Sequence, residues 1–119
     1  SGETIEDLIP ISNHYNCCGI ITACVSPEIV NLVIPKLINQ NLPFGFKVNA
    51  FKNIPENNAI QSDLKNNGYP TERYGSRADK FNPEVFKKFV ENKLKDGATL
   101  LGGCCEIKPK HIKALNKII

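Results

Sequence analysis

Short apolar runs alternate along the chain with longer stretches in which apolar residues recur every three or four positions. This is the pattern of βα units arranged around a parallel sheet. Residues 18–25 are almost uniformly apolar or small, as expected of a strand buried on both faces. Ser26-Pro27-Glu28 then supplies a helix cap, a proline at the first helical position and an acid at the positive end of the helix dipole. Ile29, Val30, Val33, Ile34, Leu37 and Ile38 follow at helical spacing, and Pro35 is expected to kink or split that helix because it cannot donate to the preceding turn.

The same grammar continues. A second strand is predicted over residues 44–51, after the turn residues Asn41 and Pro43, and a long polar stretch over residues 52–80 reads as a functional lid or mobile segment. Asn82-Pro83-Glu84 opens another helix with Val85, Phe86, Phe89, Val90 and Leu94 as its apolar stripe and Lys87, Lys88, Lys93 and Lys95 on its wet face. Asp96-Gly97 ends it, residues 98–103 form a third strand, and Pro109 opens a last helix with Ile112, Leu115 and Ile119 on its apolar side. Ahead of all these, Thr4 caps a first helix with Ile5, Leu8 and Ile9 on one face; Pro10 shortens it, and His14 complements the dipole at its end.

One helix followed by three βα units cannot cover both faces and both edges of its sheet. A complete (β/α)8 barrel takes about 250 residues, and three of its eight units about 90 to 120. The 119 residues therefore predict an α/β fold that is part of a (β/α)8 TIM barrel, with residues 1–119 a single piece of one larger domain. The chain has no methionine, which agrees with an N-terminus that is processed, replaced or never included.

Composition narrows the function classes. No apolar stretch approaches the ~20 residues of a membrane span and no secretory signal stands at the N-terminus, so a cytoplasmic protein without a membrane partner is expected. The net charge of +3 comes from fifteen basic and twelve acidic residues scattered along the chain, without the basic stripe of a nucleic-acid surface. Five cysteines include the vicinal pairs Cys17-Cys18 and Cys104-Cys105. Adjacent Cα atoms are ~3.8 Å apart, short of the usual disulfide span of ~4.4 to 6.8 Å, so metal ligation or free thiols in a reducing compartment are expected. Cys17 and Cys18 begin their strand and read as packing residues.

Two segments carry a family resemblance. Thr22-Ala23-Cys24-Val25-Ser26-Pro27-Glu28 is similar to the G-x-N-C-x-S-P segment of homocysteine S-methyltransferases, and Gly102 to Ile112, reading GGCCEIKPKHI, resembles their G-G-C-C-x-T-x-P-x-H-I segment. The resemblance extends over essentially the whole chain. Ser1-Gly2-Glu3 resembles the loop after the fifth barrel strand, which implies that the three strands are the sixth, seventh and eighth, the last three units of the barrel. It further implies zinc as cofactor, held by Cys24, Cys104 and Cys105, and homocysteine as the thiol methylated to methionine. S-adenosylmethionine, S-methylmethionine and betaine are the candidate donors.

The chemistry of such a site is intelligible from its residues. Ends of alternate barrel strands aim at a common point, and Gly102-Gly103 is expected to free the backbone so that both following sulfurs turn inward. Three protein ligands with one open position mark a catalytic zinc site, and a thiol brought to such an ion loses its proton. Asn49, in Val48-Asn49-Ala50-Phe51, stands where the resemblance places P-N-S-G and is a candidate for substrate binding. Arg73 and Arg77 read as solvated loop arginines that could meet a substrate carboxylate, and His111 as a packing or capping residue.

The chain departs from the family pattern at Ala23, where the family has asparagine, at Glu106-Ile107-Lys108, which lacks a hydroxyl, and in having no tryptophan. These departures motivate an alternative: a degenerate, non-catalytic barrel paralogue that binds zinc or a thiol ligand. A homocysteine module of a larger cobalamin-dependent synthase is a further alternative, disfavoured by a chain that finishes soon after its last helix.

Overall fold

The structure, a computed structural model, describes residues 2–53, 74–77 and 79–119. In chain order these form α1 (Ile5–His14), β1 (Ile20–Val25), α2 (Pro27–Leu37), β2 (Phe44–Val48), α3 (Pro83–Lys95), β3 (Leu100–Gly103) and α4 (Pro109–Leu115). The three strands make one parallel sheet in the order β1-β2-β3, so strands successive in sequence are neighbours in space. This is an α/β fold with a three-stranded sheet and four helices among the described residues. No helix among them is long and apolar enough to cross a membrane.

The caps read from sequence start the helices. Thr4 and Asp7 form a reciprocal capping box on α1, Ser26 accepts from the Ile29 amide, and Asn82 accepts from the amides of Glu84 and Val85. Neither interior proline breaks its helix. Pro10 and Pro35 both lie within continuous helices, on exposed positions. The carbonyls they leave unpaired belong to the exposed residues Glu6 and Asn31, where water can take the missing bond.

Strand register divides the sheet into two unlike faces. Ile20, Phe44, Phe46, Val48 and Leu101 share the face that packs on Val30, Ile34 and Leu37 of α2, Phe86 and Val90 of α3 and Leu115 of α4. Phe46 sits edge-on to Phe89 with ring centroids 5.4 Å apart. The opposite face carries Ile21, Ala23, Lys47 and Leu100, none of which belongs to the core, and Ile21 is 51% exposed. The expectation that β1 is buried on both faces is thus corrected. The described helices contribute to a single core on one side of the sheet, and none of them covers the other side.

Several shorter expectations shift as well. β1 begins at Ile20 rather than residue 18, and Cys17 and Cys18 are exposed free thiols in the α1–β1 connection, not packing residues. Lys93 is buried, 9% exposed, because its ammonium reaches forward to Asp96 at 2.7 Å; the aliphatic stem packs while the charge is paired. On α4 the buried face is His111, Ala114 and Leu115, while Ile112 and Ile119 are exposed.

Gly45 of β2 pairs with Leu100 of β3. A Cβ added there would run into the backbone of Leu100. Gly45→Ala is expected to destabilise the protein by about 1–3 kcal/mol or more, as overpacking against backbone does, measured by chemical denaturation against the parent.

Candidate metal centre

The three strands bring their carboxyl ends together, and the cysteines of β1 and β3 meet there. In β1, Ala23 pairs with Lys47 and Val25 with Val48, so Cys24 is an extra residue with no partner of its own. This is a β-bulge, and Cys24 has φ 56°, the left-handed region that L-residues enter at a cost of roughly 1–2 kcal/mol. The bulge re-aims a side chain that regular alternation, with Ala23 on the opposite face, would have assigned to the core. Asn49, the first residue after β2, secures it: Nδ2 donates to the Cys24 carbonyl at 2.8 Å, and the Asn49 amide donates to the Val25 carbonyl at 2.9 Å.

The other two sulfurs come from a turn. The Cys104 amide continues the ladder by donating to Val48 O at 2.7 Å, and the Ile107 amide donates to Cys104 O at 3.0 Å, closing Cys104-Cys105-Glu106-Ile107. Glu106, third in that turn, has φ 66°, the conformation usually given to glycine there. The glycines before the pair do a different job from the one expected. Neither Gly102 nor Gly103 has a positive φ; instead a Cβ on Gly103 would strike the Ile107 side chain, so this glycine makes room for the turn to fold back over β3.

Cys24, Cys104 and Cys105 thereby place their sulfurs within 4.8 Å of one another, half-buried. The Cys24–Cys105 and Cys104–Cys105 Sγ separations are 3.7 and 3.8 Å. All three are free thiols. Tetrahedral thiolates at the usual Zn–S distance of about 2.3 Å lie about 3.8 Å apart, so the spacing and the soft donor set both fit a zinc-sized ion.

Electrostatics within the trio are unequal. Burial pushes the Cys24 thiol up, but hydrogen bonds from Cys104, Cys105 and Asn49 outweigh it and leave the group below its ordinary 9.0. Burial, then the bond to Cys24, raises Cys104; the same causes with repulsion from both neighbouring sulfurs push Cys105 up to about 12. Of the three thiols, Cys24 is thus the one that gives up its proton most readily. Three thiolates in this volume need a cation between them.

Around the sulfurs, each remaining candidate has a defined place. Asn49 is buried, 3% exposed, and its Oδ1 accepts from the Phe51 amide at 3.3 Å. Arg77 is not a solvated loop residue: its guanidinium pairs with Glu28 through Nη1 and Nη2 at 2.8 and 2.7 Å, and its Nε is buried without a partner. Arg73 lies outside the described residues. His111 is fully buried on α4, where Nδ1 accepts from the Lys108 amide at 2.9 Å and Nε2 meets Phe81 O at 3.0 Å. Since an amide can only donate and a carbonyl only accept, the ring is held as the Nε2–H tautomer, and its role is capping and packing. His14 ends α1 and stacks edge-on against Tyr15.

No local sequence signal announces the bulge at Cys24 or the short ladder between residues 51–53 and 74–76. Phe51 bridges Ser76, Lys52 donates to Gly75 O at 3.0 Å, and Asn53 donates to Tyr74 O at 2.9 Å.

Fold and site together define an α/β protein with a three-cysteine cluster, close enough to bind a metal, at the carboxyl ends of its parallel strands. The family model for homocysteine S-methyltransferase matches residues 1–119, the whole chain, and the protein belongs to that family. No curated protein and no solved structure matches it.

The Glu28–Arg77 pair gives a pH test. Hydrogen bonding from Arg77 lowers the Glu28 carboxyl from 4.5 to about 2. Because the folded state holds this proton more weakly than the unfolded chain, the pair supports the fold above about pH 4.5 and loses that support as pH falls towards 2. The stability difference between the parent and Glu28→Gln is expected to shrink over that interval, as followed by denaturation at several pH values.

Proposed function

We propose that this chain forms the thiol-activating part of a zinc-dependent methyltransferase that converts homocysteine to methionine. The observation that carries the reading is the meeting of Cys24, Cys104 and Cys105 sulfurs within 4.8 Å in a member of this family. The same reading makes the sheet the last three units of a (β/α)8 barrel within a larger domain. In support, successive parallel strands are neighbours and none of the described helices covers one sheet face, as in a barrel wall without its lumen.

Cys24, Cys104 and Cys105 would hold the zinc as thiolates, and a set of three protein ligands is the count of catalytic rather than structural sites. When bound, zinc supplies a Lewis acid that lets a substrate thiol lose its proton near neutral pH. The chain's own contribution is positional. The bulge fixes Cys24, the turn through Glu106 fixes Cys104 and Cys105, and Asn49 ties the first group to the end of β2. Asn49 also keeps the proposed substrate contact: Oδ1 spends one of its two acceptor positions on Phe51, and the other is what it can offer homocysteine. The donors compatible with this scheme, S-adenosylmethionine, S-methylmethionine and betaine, each present a methyl group on a positively charged sulfur or nitrogen. A thiol site in a reducing compartment agrees with the cytoplasm.

A second reading is favoured by Ala23, which precedes Cys24 in the chain and whose side chain offers a substrate no polar atom. Here the barrel keeps its zinc or a thiol ligand without turnover.

Two measurements on the full-length protein separate the readings. Stoichiometric zinc is expected in the parent and its loss in Cys105→Ser, with methyl transfer to homocysteine from at least one of the three donors. Zinc with no transfer from any of them would support the non-catalytic reading; a parent free of zinc when purified without chelator would remove the first reading and reduce the second to a barrel that binds a thiol ligand alone. Asn49→Ala is expected to weaken zinc binding about 10- to 100-fold, the usual cost of losing a residue that orients a ligand, measured by competition with a chromophoric chelator.

A further inference from the structure

We infer that Arg77 is a positioning residue for the three-cysteine centre, joining the segment that carries Cys24 to the one that carries Cys105. The inference rests on the zinc-binding reading above. Glu28 lies in the first turn of α2, directly beyond the bulge at Cys24 and the cap at Ser26. Its two carboxylate oxygens receive Nη1 and Nη2 of Arg77 at 2.8 and 2.7 Å. Two parallel N–H···O bonds fix an angle as well as a distance.

The backbone of the same residue faces another way. The Arg77 amide donates to Ala50 O at 2.9 Å, and the Ala50 amide donates to Cys105 O at 2.9 Å. The Phe81 amide bonds to Arg77 O at 2.8 Å, holding the residue from a third direction. A closed circuit therefore runs from Cys24 through α2, Glu28, Arg77 and Ala50 to Cys105, and Asn49, next to Ala50, returns it to the Cys24 carbonyl. Arg77 supplies the one link in that circuit made by a charged side chain.

Metal ligation is sensitive to such a link because metal–ligand distances are met within about 0.2 Å. The Sγ pair bridged by the circuit, Cys24 and Cys105, is 3.7 Å apart. A small drift of α2 from the end of β3 would open that spacing. The Glu28 side chain is 62% exposed, so solvent screening keeps the pair's share of overall stability modest, and a loss of metal affinity larger than that share is separable from an effect on folding.

The test uses the intact protein and two readouts other than turnover: zinc affinity by chelator competition and the thiolate-to-cobalt charge-transfer absorption on loading Co2+. The melting temperature of each metal-free protein is recorded alongside. Arg77→Gln and Glu28→Gln are each expected to weaken affinity about 10- to 100-fold, and the double variant to be no weaker than either, since both remove one interaction. Arg77→Lys is expected to recover only part, because an ammonium cannot reproduce the fork. Should Arg77→Gln not fold, Glu28→Gln carries the comparison from an exposed position. Affinities equal to the parent's, additive losses in the double variant, or losses that merely follow the melting temperature would overturn the inference while leaving zinc binding intact. A parent that gives no thiolate–cobalt band would overturn the zinc reading and this inference with it.

Discussion

In a parallel strand, successive side chains point to opposite faces, and a site that needs sulfurs from neighbouring positions and different strands must break that rule locally. It is broken twice here. In β1 an extra residue is inserted at Cys24, with φ 56°; after β3 a turn is forced at Glu106, with φ 66°. Neither residue is glycine, so each carries a conformational cost that its surroundings must offset. Around Cys24 the offset comes from Asn49 and the resumed pairing of Val25 with Val48. Around Cys105 it comes from the Ala50 amide and the Ile107–Cys104 bond. Strained backbone and close-set sulfurs therefore coincide, and the end of β2 stands between them as a common support.

The support is rigid for an ordinary reason. β2 is the central strand, paired on both sides, with Phe44, Phe46 and Val48 sealed against α2 and α3. Asn49 and Ala50 continue directly from it and are themselves buried. The hydrophobic core thus serves the chemistry at one remove: apolar burial fixes β2, β2 fixes two backbone segments, and these fix the sulfurs.

Much of this was legible in the sequence where a single residue type has a local meaning. The caps at Thr4, Ser26 and Asn82 and the prolines at helix starts placed α1, α2 and α3 correctly, because these signals act within one turn. The cysteine trio was legible as a constellation, since thiols at the ends of two strands have few other reasons to recur with a glycine pair. Features that depend on partners far along the chain were not. Nothing near Cys24 announces a bulge, whose cause is the register with β2. Pro10 and Pro35 looked disruptive because the water-facing side of their helices is set by packing, and Lys93 looked wet because Asp96 could not be placed over it. Gly103 was correctly singled out for the wrong reason: its smallness serves Ile107 and not its own dihedral angles.

The short antiparallel ladder of Phe51 to Asn53 against Tyr74 to Ser76 has its own consequence. Chain departure and chain return are stitched together beside β2. Closure entropy grows only slowly with the length of such an excursion. Arg77, one residue beyond the ladder, is therefore delivered to Ala50 at an entropic cost that depends little on how much chain lies between the two segments.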